Sequence, residues 1–307
     1  MKPPDAASAS VVITTKDRRE DLRRALLSCV TQECIREIIV IDDGSSDGTS
    51  DMVRSSFREA VLCRFDSSAG YIVRRNYGAR LAKSDIIVSI DDDARFSTND
   101  TLARTVKEFE SPRIGAVAIP YVNVCQDVTV FQRAPRDDGQ VYLTATFIGT
   151  AHAVRRELFL SLGGYRECFV HQGEESDFCI RMLDKGYVCR LGNAAPIEHF
   201  ESPRRDFKRM DLYGGRNQIL SAWLNAPRER LPQSLSHAII SKMRWGLRSR
   251  KYLRAIQSAQ LGIYSIFGHR TLRQPVSLKT YMTFEKIQRG SSSLHDVMHD
   301  LAKPAYC

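Results

Sequence analysis

The sequence predicts an α/β fold in which a mixed, mostly parallel sheet is flanked by helices and followed by a basic helical C-terminal extension. Two patterns carry this prediction. Short apolar runs alternate with amphipathic stretches over the first two-thirds of the 307 residues, which is typical of parallel β/α units. Residues 228–289 then contain 13 basic and two acidic residues, whereas the formal charge of the whole chain is +9. Residues 1–227 are therefore close to neutral, and the positive charge belongs to the C-terminal region.

Composition excludes several classes of protein. With 43% hydrophobic and 26% charged residues, the chain has the composition of a globular protein rather than a disordered, collagen-like or disulfide-stapled one. No apolar run approaches the roughly 18 residues of a membrane-spanning helix. The first residues, MKPPDAASAS, lack the apolar run of a signal peptide, so we expect a cytoplasmic protein. The eight cysteines show no C-x-x-C spacing, which predicts reduced structural thiols.

The periodicity of apolar residues predicts the individual elements. A strand at 10–15 precedes a helix whose start is indicated by a capping-box arrangement of Asp17 and Glu20. Further strands are predicted at 37–41, 61–65, 85–90, 115–120 and 141–146. Further helices are predicted at 71–83, at 175–185 with Gly186 as its stop, at 234–248 and at 251–267. The pattern breaks at 225–230, NAPRER, which predicts a domain boundary.

Two acidic clusters each follow a predicted strand. Asp42 and Asp43 come directly after IIVI, and Asp91, Asp92 and Asp93 come directly after DIIVSI. Ligands of open α/β sheets bind beyond the carboxyl ends of the strands, so both clusters are expected to converge there. Consecutive carboxylates repel one another unless a cation offsets their charge, and oxygen ligands of this kind suit Mg²⁺ or Mn²⁺. The structural alternative is a polar turn for the first cluster and a solvated acidic turn for the second.

A third acidic cluster, HQGEESDFCIRM, opens a predicted helix. Glu174 or Glu175 can serve there as a general base that takes a proton from an attacking hydroxyl, and Asp177 is best suited to a structural role. The alternative is that these carboxylates only stabilise the helix N-terminus.

One histidine and two arginines complete the candidate site. His199, in IEHF, is a candidate third metal ligand, and a packed histidine is the alternative. Arg74 and Arg75 lie near the start of a predicted helix, where they can face either a diphosphate or bulk solvent.

Taken in order, several segments resemble the family 2 glycosyltransferases of the GT-A fold over about residues 10–225: VVITTKDR, IDDGSSDGT, RRN, IDDDA, GGYRE, GEESDFCIR and IEHF. The resemblance implies a Rossmann-like GT-A domain. It also implies a metal-dependent, inverting transfer of a sugar from a nucleotide diphosphate donor, UDP or dTDP, to an acceptor hydroxyl. The acceptor it suggests is a saccharide, a lipid-linked compound or a small molecule, as in polysaccharide, glycolipid or natural-product glycosylation.

The resemblance also implies roles for individual residues. Asp91, Asp93 and His199 would hold the metal, Mn²⁺ or Mg²⁺. Glu175 would be the base, with Glu174 as the alternative because glutamate replaces the commoner aspartate here. The residues that would border the nucleotide are Thr15, Asp17, Asp42, Asp43, Arg75 and Asp92.

Two further positions concern the substrates. Gly163 and Gly164 match a glycine pair on the acceptor side, where small residues allow close backbone approach. Lys16 stands where an aromatic residue is common in the family, which leaves the donor preference open.

The same resemblance divides the chain into two regions. Residues 1–227 are the expected catalytic domain, with a nucleotide-binding half at about 10–120 and an acceptor-binding half at about 121–227. Residues 228–307 are the basic helical region. Lys- and Arg-rich helices with apolar faces suit an anionic surface, so peripheral contact with the inner face of a membrane through 228–289 is expected. A solvated face or a homodimer contact is the alternative.

Other functions fit the residues less well. The first predicted strand ends in TTKDR, so it is not followed by the glycine-rich loop of sugar-phosphate nucleotidyltransferases or the G-x-G-x-x-G of dinucleotide oxidoreductases. A basic nucleic-acid-binding protein would account for 228–289 but would leave the carboxylate clusters unexplained, so no nucleic-acid partner is expected. A catalytically inactive GT-A-like protein is the other alternative.

Overall fold

The computed structural model describes residues 8–126, 129–136, 138–201, 206–290 and 292–303. The described strands are β1 (Ala9–Thr15), β2 (Ile35–Asp42), β3 (Val61–Arg64), β4 (Ile86–Ser89), β5 (Ala94–Phe96), β6 (Ile114–Ala118), β7 (Tyr121–Asn123), β8 (Val130–Phe131), β9 (Leu143–Thr144), β10 (His152–Arg155), β11 (Val188–Leu191) and β12 (Ile197–His199). The described α-helices are α1 (Arg19–Cys29), α2 (Thr49–Ser56), α3 (Tyr71–Leu81), α4 (Thr101–Lys107), α5 (Arg156–Ser161), α6 (Glu174–Asp184), α7 (Phe207–Asn225), α8 (Leu231–Arg248), α9 (Tyr252–Gly268), α10 (Leu278–Gln288) and α11 (Leu294–Val297). Single turns of 3₁₀ helix lie at Glu167–Phe169, Arg270–Leu272 and Met298–Asp300.

The strands form two sheets. The larger has eight strands in the order β3-β2-β1-β4-β10-β6-β11-β9, and the smaller has four in the order β5-β12-β7-β8. β1 pairs in parallel with β2 and β4, whereas β10 runs antiparallel to both β4 and β6. The large sheet is therefore mixed and mostly parallel, as the sequence predicts.

The central strands are apolar because helices pack against the sheet that they form. Ile13 of β1 and Val40 of β2 are fully buried, and α3 lies against both strands. The approach of α3 is close at Gly78, where a Cβ atom would lie 2.5 Å from Val12 Cγ1. Glycine at this position lets the helix lie directly on the sheet beneath the candidate site.

The predicted elements are mostly confirmed. The helices predicted at 234–248 and 251–267 correspond to α8 and α9, and α3 and α6 begin within one residue of the predicted starts. Gly186 follows α6 with a φ of 82°, as expected for a helix stop.

Two local predictions are wrong. Asp17 does not cap α1, because its φ is 51° and its carboxylate instead accepts a hydrogen bond from Ser46 N at 2.7 Å. The strand predicted at 141–146 is reduced to Leu143–Thr144, which pairs with β11 at the edge of the sheet.

The helices beyond residue 227 pack against the rest of the chain. α9 lies against α7, and α10 lies against α6. Phe284, Ile287, Leu294 and Val297 belong to the same hydrophobic core as the large sheet. Ala238 of α8 and Ala259 of α9 form a separate small cluster with Ile219 of α7. The predicted boundary between 1–227 and 228–307 stays a prediction.

Two global expectations concern membrane spans and thiols. Among the described residues, no helix combines the length and apolar character needed to cross a bilayer. The cysteines in the described part of the chain are free thiols, as predicted, and Cys307 lies outside it.

Candidate functional site

The candidate site lies at the carboxyl ends of neighbouring parallel strands. β2, β1 and β4 are adjacent, so the residues that follow them meet at one edge of the sheet. Thr15 ends β1, and its hydroxyl donates to Asp92 Oδ2 at 2.8 Å. The aspartate triplet that follows β4 is thus fixed against the end of the first strand.

Two arginines compensate the charge of the aspartate triplet. Arg18 Nη1 lies 3.1 Å from Asp92 Oδ1 and 2.6 Å from Asp93 Oδ2. Arg75 Nη2 forms an ion pair with Asp91 Oδ1. These charge-assisted contacts allow three consecutive carboxylates to stand at one strand end.

Burial and the neighbouring cations shift the pKa values of the triplet in different directions. Burial raises the pKa of Asp92 to about 7, and Arg18 opposes this rise. Burial would also raise the pKa of Asp93, but the hydrogen bonds and charges of His199 and Arg18 bring it below the usual value. Asp93 is therefore held ionised in a largely buried position.

Asp91, Asp93 and His199 form a triad of possible metal ligands. One ligand atom of each residue lies within 4.8 Å of the others. The small sheet positions the histidine, because β12 pairs with β5 and places His199 opposite Ala94, next to the triplet. His199 Nε2 lies 3.2 Å from Asp93 Oδ1, and its Nδ1 lies 3.0 Å from Asn123 Oδ1.

The donor atoms of this triad fit the predicted metal. Because Asn123 Oδ1 can only accept, Nδ1 of His199 carries a proton, and its Nε2 faces Asp93. A proton on Nε2 makes the ring an imidazolium that pairs with Asp93, and a bound metal ion would take the place of that proton. A lone pair beside a carboxylate oxygen is stable only with a proton or a metal ion between the two atoms. The two carboxylates supply the oxygen ligands that Mg²⁺ and Mn²⁺ prefer. The residues present therefore suit the predicted Mn²⁺ or Mg²⁺.

Asp42 is committed to hydrogen bonds within the protein. It is fully buried, and its carboxylate accepts from Ser45 N at 2.8 Å and from Ser50 Oγ. Asp17, which is exposed, contacts the same loop through Ser46. These contacts fix the loop between β2 and α2, and the nucleotide contacts of Asp42 and Asp17 stay predictions.

Asp43 holds the start of α3. Burial would raise the pKa of Asp43, but hydrogen bonds from Ser68, Ala69, Arg74 and Gly70 lower it below the usual value. Arg74 also lies 3.4 Å above the ring centroid of Phe65, so this arginine is buried rather than solvated. A nucleotide contact of Asp43 likewise stays a prediction.

Glu174 and Glu175 open α6 and differ in their access to solvent. Glu174 is 0% exposed, and Arg75 Nη1 lies 3.6 Å from its Oε1. Glu175 remains partly exposed. Burial raises the pKa of both carboxyl groups, and Arg75 opposes the rise in each. Of the two glutamates, Glu175 is the partly exposed residue, and its pKa is raised towards the range of a general base.

Arg75 joins the aspartate triplet to the glutamate pair. Its guanidinium lies 4.8 Å from the ring centroid of Tyr71, a cation–π arrangement that orients it. Gly149 leaves room for this assembly, because a Cβ there would lie 2.5 Å from Arg75 Nη1 and 2.9 Å from Glu175 Oε1. The metal triad and the candidate base thus share one arginine.

Two positions singled out in the sequence have structural contacts. Asp177 is fully buried and accepts hydrogen bonds from Arg166 at 2.7 Å and Arg181 at 2.9 Å, as expected for a structural carboxylate. Gly164 has a φ of 69°, and a Cβ there would lie 2.6 Å from Asn76 Oδ1. This glycine therefore serves close packing against α3.

Four residues of the site are not predicted from the sequence: Arg18, Tyr71, Asn123 and Gly149. Arg18 follows the first predicted strand by a few residues, so its place at the strand end is a usable signal. Tyr71 lies on α3, one turn before Arg75. Asn123 and Gly149 reach the site through the approach of distant segments, which leaves no local pattern.

Comparison with known families gives a match over half of the chain. Residues 10–163 match the family described as Glycosyl transferase family 2. This range includes the aspartate triplet and ends before the glutamate pair.

Curated relatives match parts of the chain. An uncharacterised glycosyltransferase of Bacillus subtilis, YfnE, is 35% identical over 107 residues, which cover 34% of this chain and 27% of that protein. The pre-mycofactocin glycosyltransferase of Mycobacterium tuberculosis is 26% identical over 232 residues, which cover 70% of this chain and 48% of that protein. The matches thus span only about a quarter to a half of the length of these relatives.

Solved structures share the fold. A mannosyltransferase of Pyrobaculum calidifontis, in complex with GDP-Man and Mn²⁺, has a TM-score of 0.56 at 20% identity, covering 93% of this chain and 82% of that one. Residues 1–349 of S. aureus TarS, in complex with UDP-GlcNAc, have a TM-score of 0.61 at 17% identity, covering 92% of this chain and 91% of that one. These likenesses confirm the predicted GT-A type of α/β fold.

We expect Glu174 to make stability fall as pH rises. Burial raises the pKa of this carboxyl above 4.5, so the folded state keeps a proton that the unfolded state releases. The contribution is therefore most favourable below the unfolded pKa and declines as pH rises towards the folded pKa. Glu174→Gln should flatten the dependence of Tm on pH above 4.5, measured by thermal denaturation. Glu59→Gln, at an exposed position, is the control, and equal slopes in both variants would contradict the expectation.

Proposed function

The chain belongs to glycosyl transferase family 2, and from this membership and the geometry of the site we propose that it is a metal-dependent, inverting glycosyltransferase. The donor is a nucleotide diphospho-sugar with UDP or dTDP, and the acceptor is a hydroxyl of a saccharide, a lipid-linked compound or a small molecule. The observation that carries this proposal is the triad of Asp91, Asp93 and His199, which lies across Arg75 from the glutamate pair.

Asp91, Asp93 and His199 are the residues that would hold the metal. When bound, Mn²⁺ or Mg²⁺ supplies Lewis-acid stabilisation of the negative charge that develops on a departing diphosphate. Arg18 and Arg75 add fixed positive charge on either side of the triad. These arginines favour an incoming diphosphate at the edge of the sheet.

In this proposal the nucleotide lies against Thr15 at the end of β1, and it is therefore next to the triplet that Thr15 contacts. The relatives and neighbours support a nucleotide-sugar donor without fixing the base, since one structure was solved with GDP-Man and another with UDP-GlcNAc. The choice of UDP or dTDP therefore remains the finer part of the proposal.

Glu175 is the proposed base. Its carboxylate takes the proton of the acceptor hydroxyl as the hydroxyl oxygen forms a bond to the anomeric carbon. The bond from that carbon to the diphosphate oxygen breaks on the opposite face, which inverts the anomeric centre. Glu174 is buried behind it and supports its position through the shared contact with Arg75.

A peripheral membrane contact is also part of the proposal, and α9 is the element that supports it. Small residues of α9 pack against α7, while its opposite side exposes large apolar side chains: Leu253 is 77% exposed, Tyr264 75% and Phe267 70%. Arg248, the last residue of α8, and Arg270, which follows α9, are exposed near the two ends of this helix. An apolar helix face bounded by arginines suits an anionic lipid surface.

The same charges disfavour a homodimer through this face. Lys251 and Arg254 are paired with Asp211, so that acidic group is already neutralised. Two copies packed through α9 would bring the arginines at its ends together without an acidic partner. A lipid surface supplies both the apolar and the anionic component.

We expect Asp93→Ala to abolish the effect of metal on donor binding. In the native protein, UDP or dTDP should raise Tm more with Mn²⁺ than without it, because ligands that bind the folded state stabilise it. The variant should lose this difference and the metal-dependent release of nucleotide from the sugar donor. Asp51→Ala, whose side chain is 86% exposed on α2, is the matched control. Metal-dependent stabilisation that survives in Asp93→Ala would refute the assignment.

Glu175→Gln should separate donor binding from transfer. Loss of the base should lower the rate of transfer by roughly 10²- to 10⁴-fold, while the thermal shift with nucleotide and Mn²⁺ stays unchanged. Glu174→Gln is the neighbouring control, and it should reduce transfer less because its carboxyl group is fully buried. If Glu174→Gln shows the greater loss, the base is Glu174.

Leu253→Glu combined with Phe267→Glu should release the protein from anionic vesicles. Removing two apolar anchors and adding two negative charges should lower the bound fraction about tenfold in co-sedimentation with phosphatidylglycerol vesicles. Ser55→Glu combined with Ser56→Glu adds the same charge at exposed positions of α2 and should bind as the native protein does. Absence of native binding at low salt would remove the membrane proposal.

A further inference from the structure

A cleft of about 720 Å³ lies between α6, α7, α8 and α10, beside the first turn of the helix that carries the glutamate pair. Its size falls within the range of roughly 300–1,000 Å³ that is typical of small-ligand sites. Its lining includes Gln172, Gly173 and Ser176, which flank the glutamate pair in sequence. None of the residues that line it lies within 10–163, the range that matches the family, so the cleft is a feature of the chain's own C-terminal half.

The lining of the cleft combines apolar surface with many uncharged hydrogen-bonding side chains. Amide and hydroxyl side chains project from each of the surrounding helices, including Gln218 and Ser221 of α7, Gln233 and Ser241 of α8, and Tyr281 and Gln288 of α10. Glu285 and Arg289 are the lining residues with a fixed charge, and they are of opposite sign. This neutrality contrasts with the surrounding region 228–289, which has 13 basic and two acidic residues.

The neutral lining within a basic region indicates which chemical class of ligand the cleft can bind. Anionic ligands such as nucleotides or phosphates would be bound by clustered Lys and Arg side chains, which this cleft does not offer among its lining residues. Amides and hydroxyls both donate and accept hydrogen bonds, and the rings of Tyr281 and Phe284 add flat apolar surface. Uncharged, polyhydroxylated molecules match such a surface.

The cleft is connected to the glutamate pair through a strained loop. Val170 and Gln172 have φ values of 62° and 67°, which are unfavourable for side chains of these types. Asn217 of α7 holds the loop in this conformation, because its Nδ2 donates to the carbonyl oxygens of Phe169 at 2.9 Å and His171 at 2.8 Å.

The other end of the loop contacts Tyr71, which lies beside Arg75 of the candidate site. Gln172 N donates to Tyr71 Oη at 2.8 Å, and the ring of Tyr71 lies beside the guanidinium of Arg75. The residues that follow the loop are Gly173 and the glutamate pair. A molecule seated in the cleft therefore contacts the segment that orients the proposed base.

We propose that this cleft binds the acceptor, and that the part of the acceptor it recognises is an uncharged saccharide. The proposal rests on the transferase function proposed above and adds the chemical class of its acceptor. Hydrogen bonds from the amides and hydroxyls of α7, α8 and α10 hold the saccharide. The Asn217-clamped loop links the bound saccharide to the start of α6, the helix that carries Glu175.

Saccharide binding can be measured without donor or turnover. Saturation-transfer difference NMR would use maltose, cellobiose and N,N′-diacetylchitobiose as uncharged probes of the native protein. Ser221→Trp and Ser241→Trp each place an indole in the cleft from a different helix, and Ser241 is exposed, so its substitution leaves the core intact. Gln260→Trp, exposed on α9 and outside the cleft, is the matched control.

We expect at least one of the three saccharides to give a signal with the native protein and with Gln260→Trp. The signal should fall about tenfold in both cleft variants, because a side chain that fills a site excludes its ligand. Stabilisation by UDP and Mn²⁺ should stay unchanged in all variants. No signal from any saccharide, or equal signals in native and cleft variants, would overturn the proposal. Saccharide binding without any stabilisation by nucleotide would instead refute the transferase function while retaining the cleft as a saccharide site.

Discussion

The site depends on one electrostatic constraint: the negative charge of the aspartate triplet must be compensated by nearby positive charge. Three consecutive carboxylates, of which Asp92 and Asp93 are buried, cannot remain together in an apolar sheet edge without nearby positive charge. Arg18 and Arg75 supply that charge, and Arg75 also approaches Glu174. The arrangement that stabilises the triplet in the folded protein also suits this edge of the sheet to the binding of a diphosphate and a cation.

The fold places these groups by two independent devices. Parallel pairing of β1 with β2 and β4 brings the strand ends to one edge, which places the first and second acidic clusters close together. The small sheet acts separately, because the pairing of β12 with β5 and β7 brings His199 to Asp93 and Asn123. The metal triad therefore joins the two sheets, and the geometry of neither sheet alone determines it.

The sequence predicts the fold well because the elements are marked by local patterns. Continuous apolar runs identify the central strands, and the acidic clusters identify their carboxyl ends, so an α/β fold follows from short segments. The GT-A type is implied by the resemblance that the ordered motifs carry. The triad was also predicted, and the structure places its three members together. What local patterns miss depends on distant packing: Gly149 and Asn123 become important only because other segments approach them. Asp17 shows the converse error, since a capping-box pattern at 17–20 was overridden by a contact with Ser46 on the neighbouring loop.

The distribution of charge assigns different tasks to different surfaces of one molecule. The sheet edge concentrates opposite charges in a buried setting, where each interaction is strengthened by low solvent access. The α9 side presents apolar side chains with arginines at its ends, whereas the cleft between α7, α8 and α10 is lined by neutral hydrogen-bonding groups. The positive charge of the chain is concentrated in 228–289, which contains 13 basic and two acidic residues, and the cleft would bind anions indiscriminately if that charge lined it. Because most of the basic residues lie outside the cleft, the proposed attraction to an anionic surface and the proposed recognition of an uncharged acceptor would use different parts of one helical region.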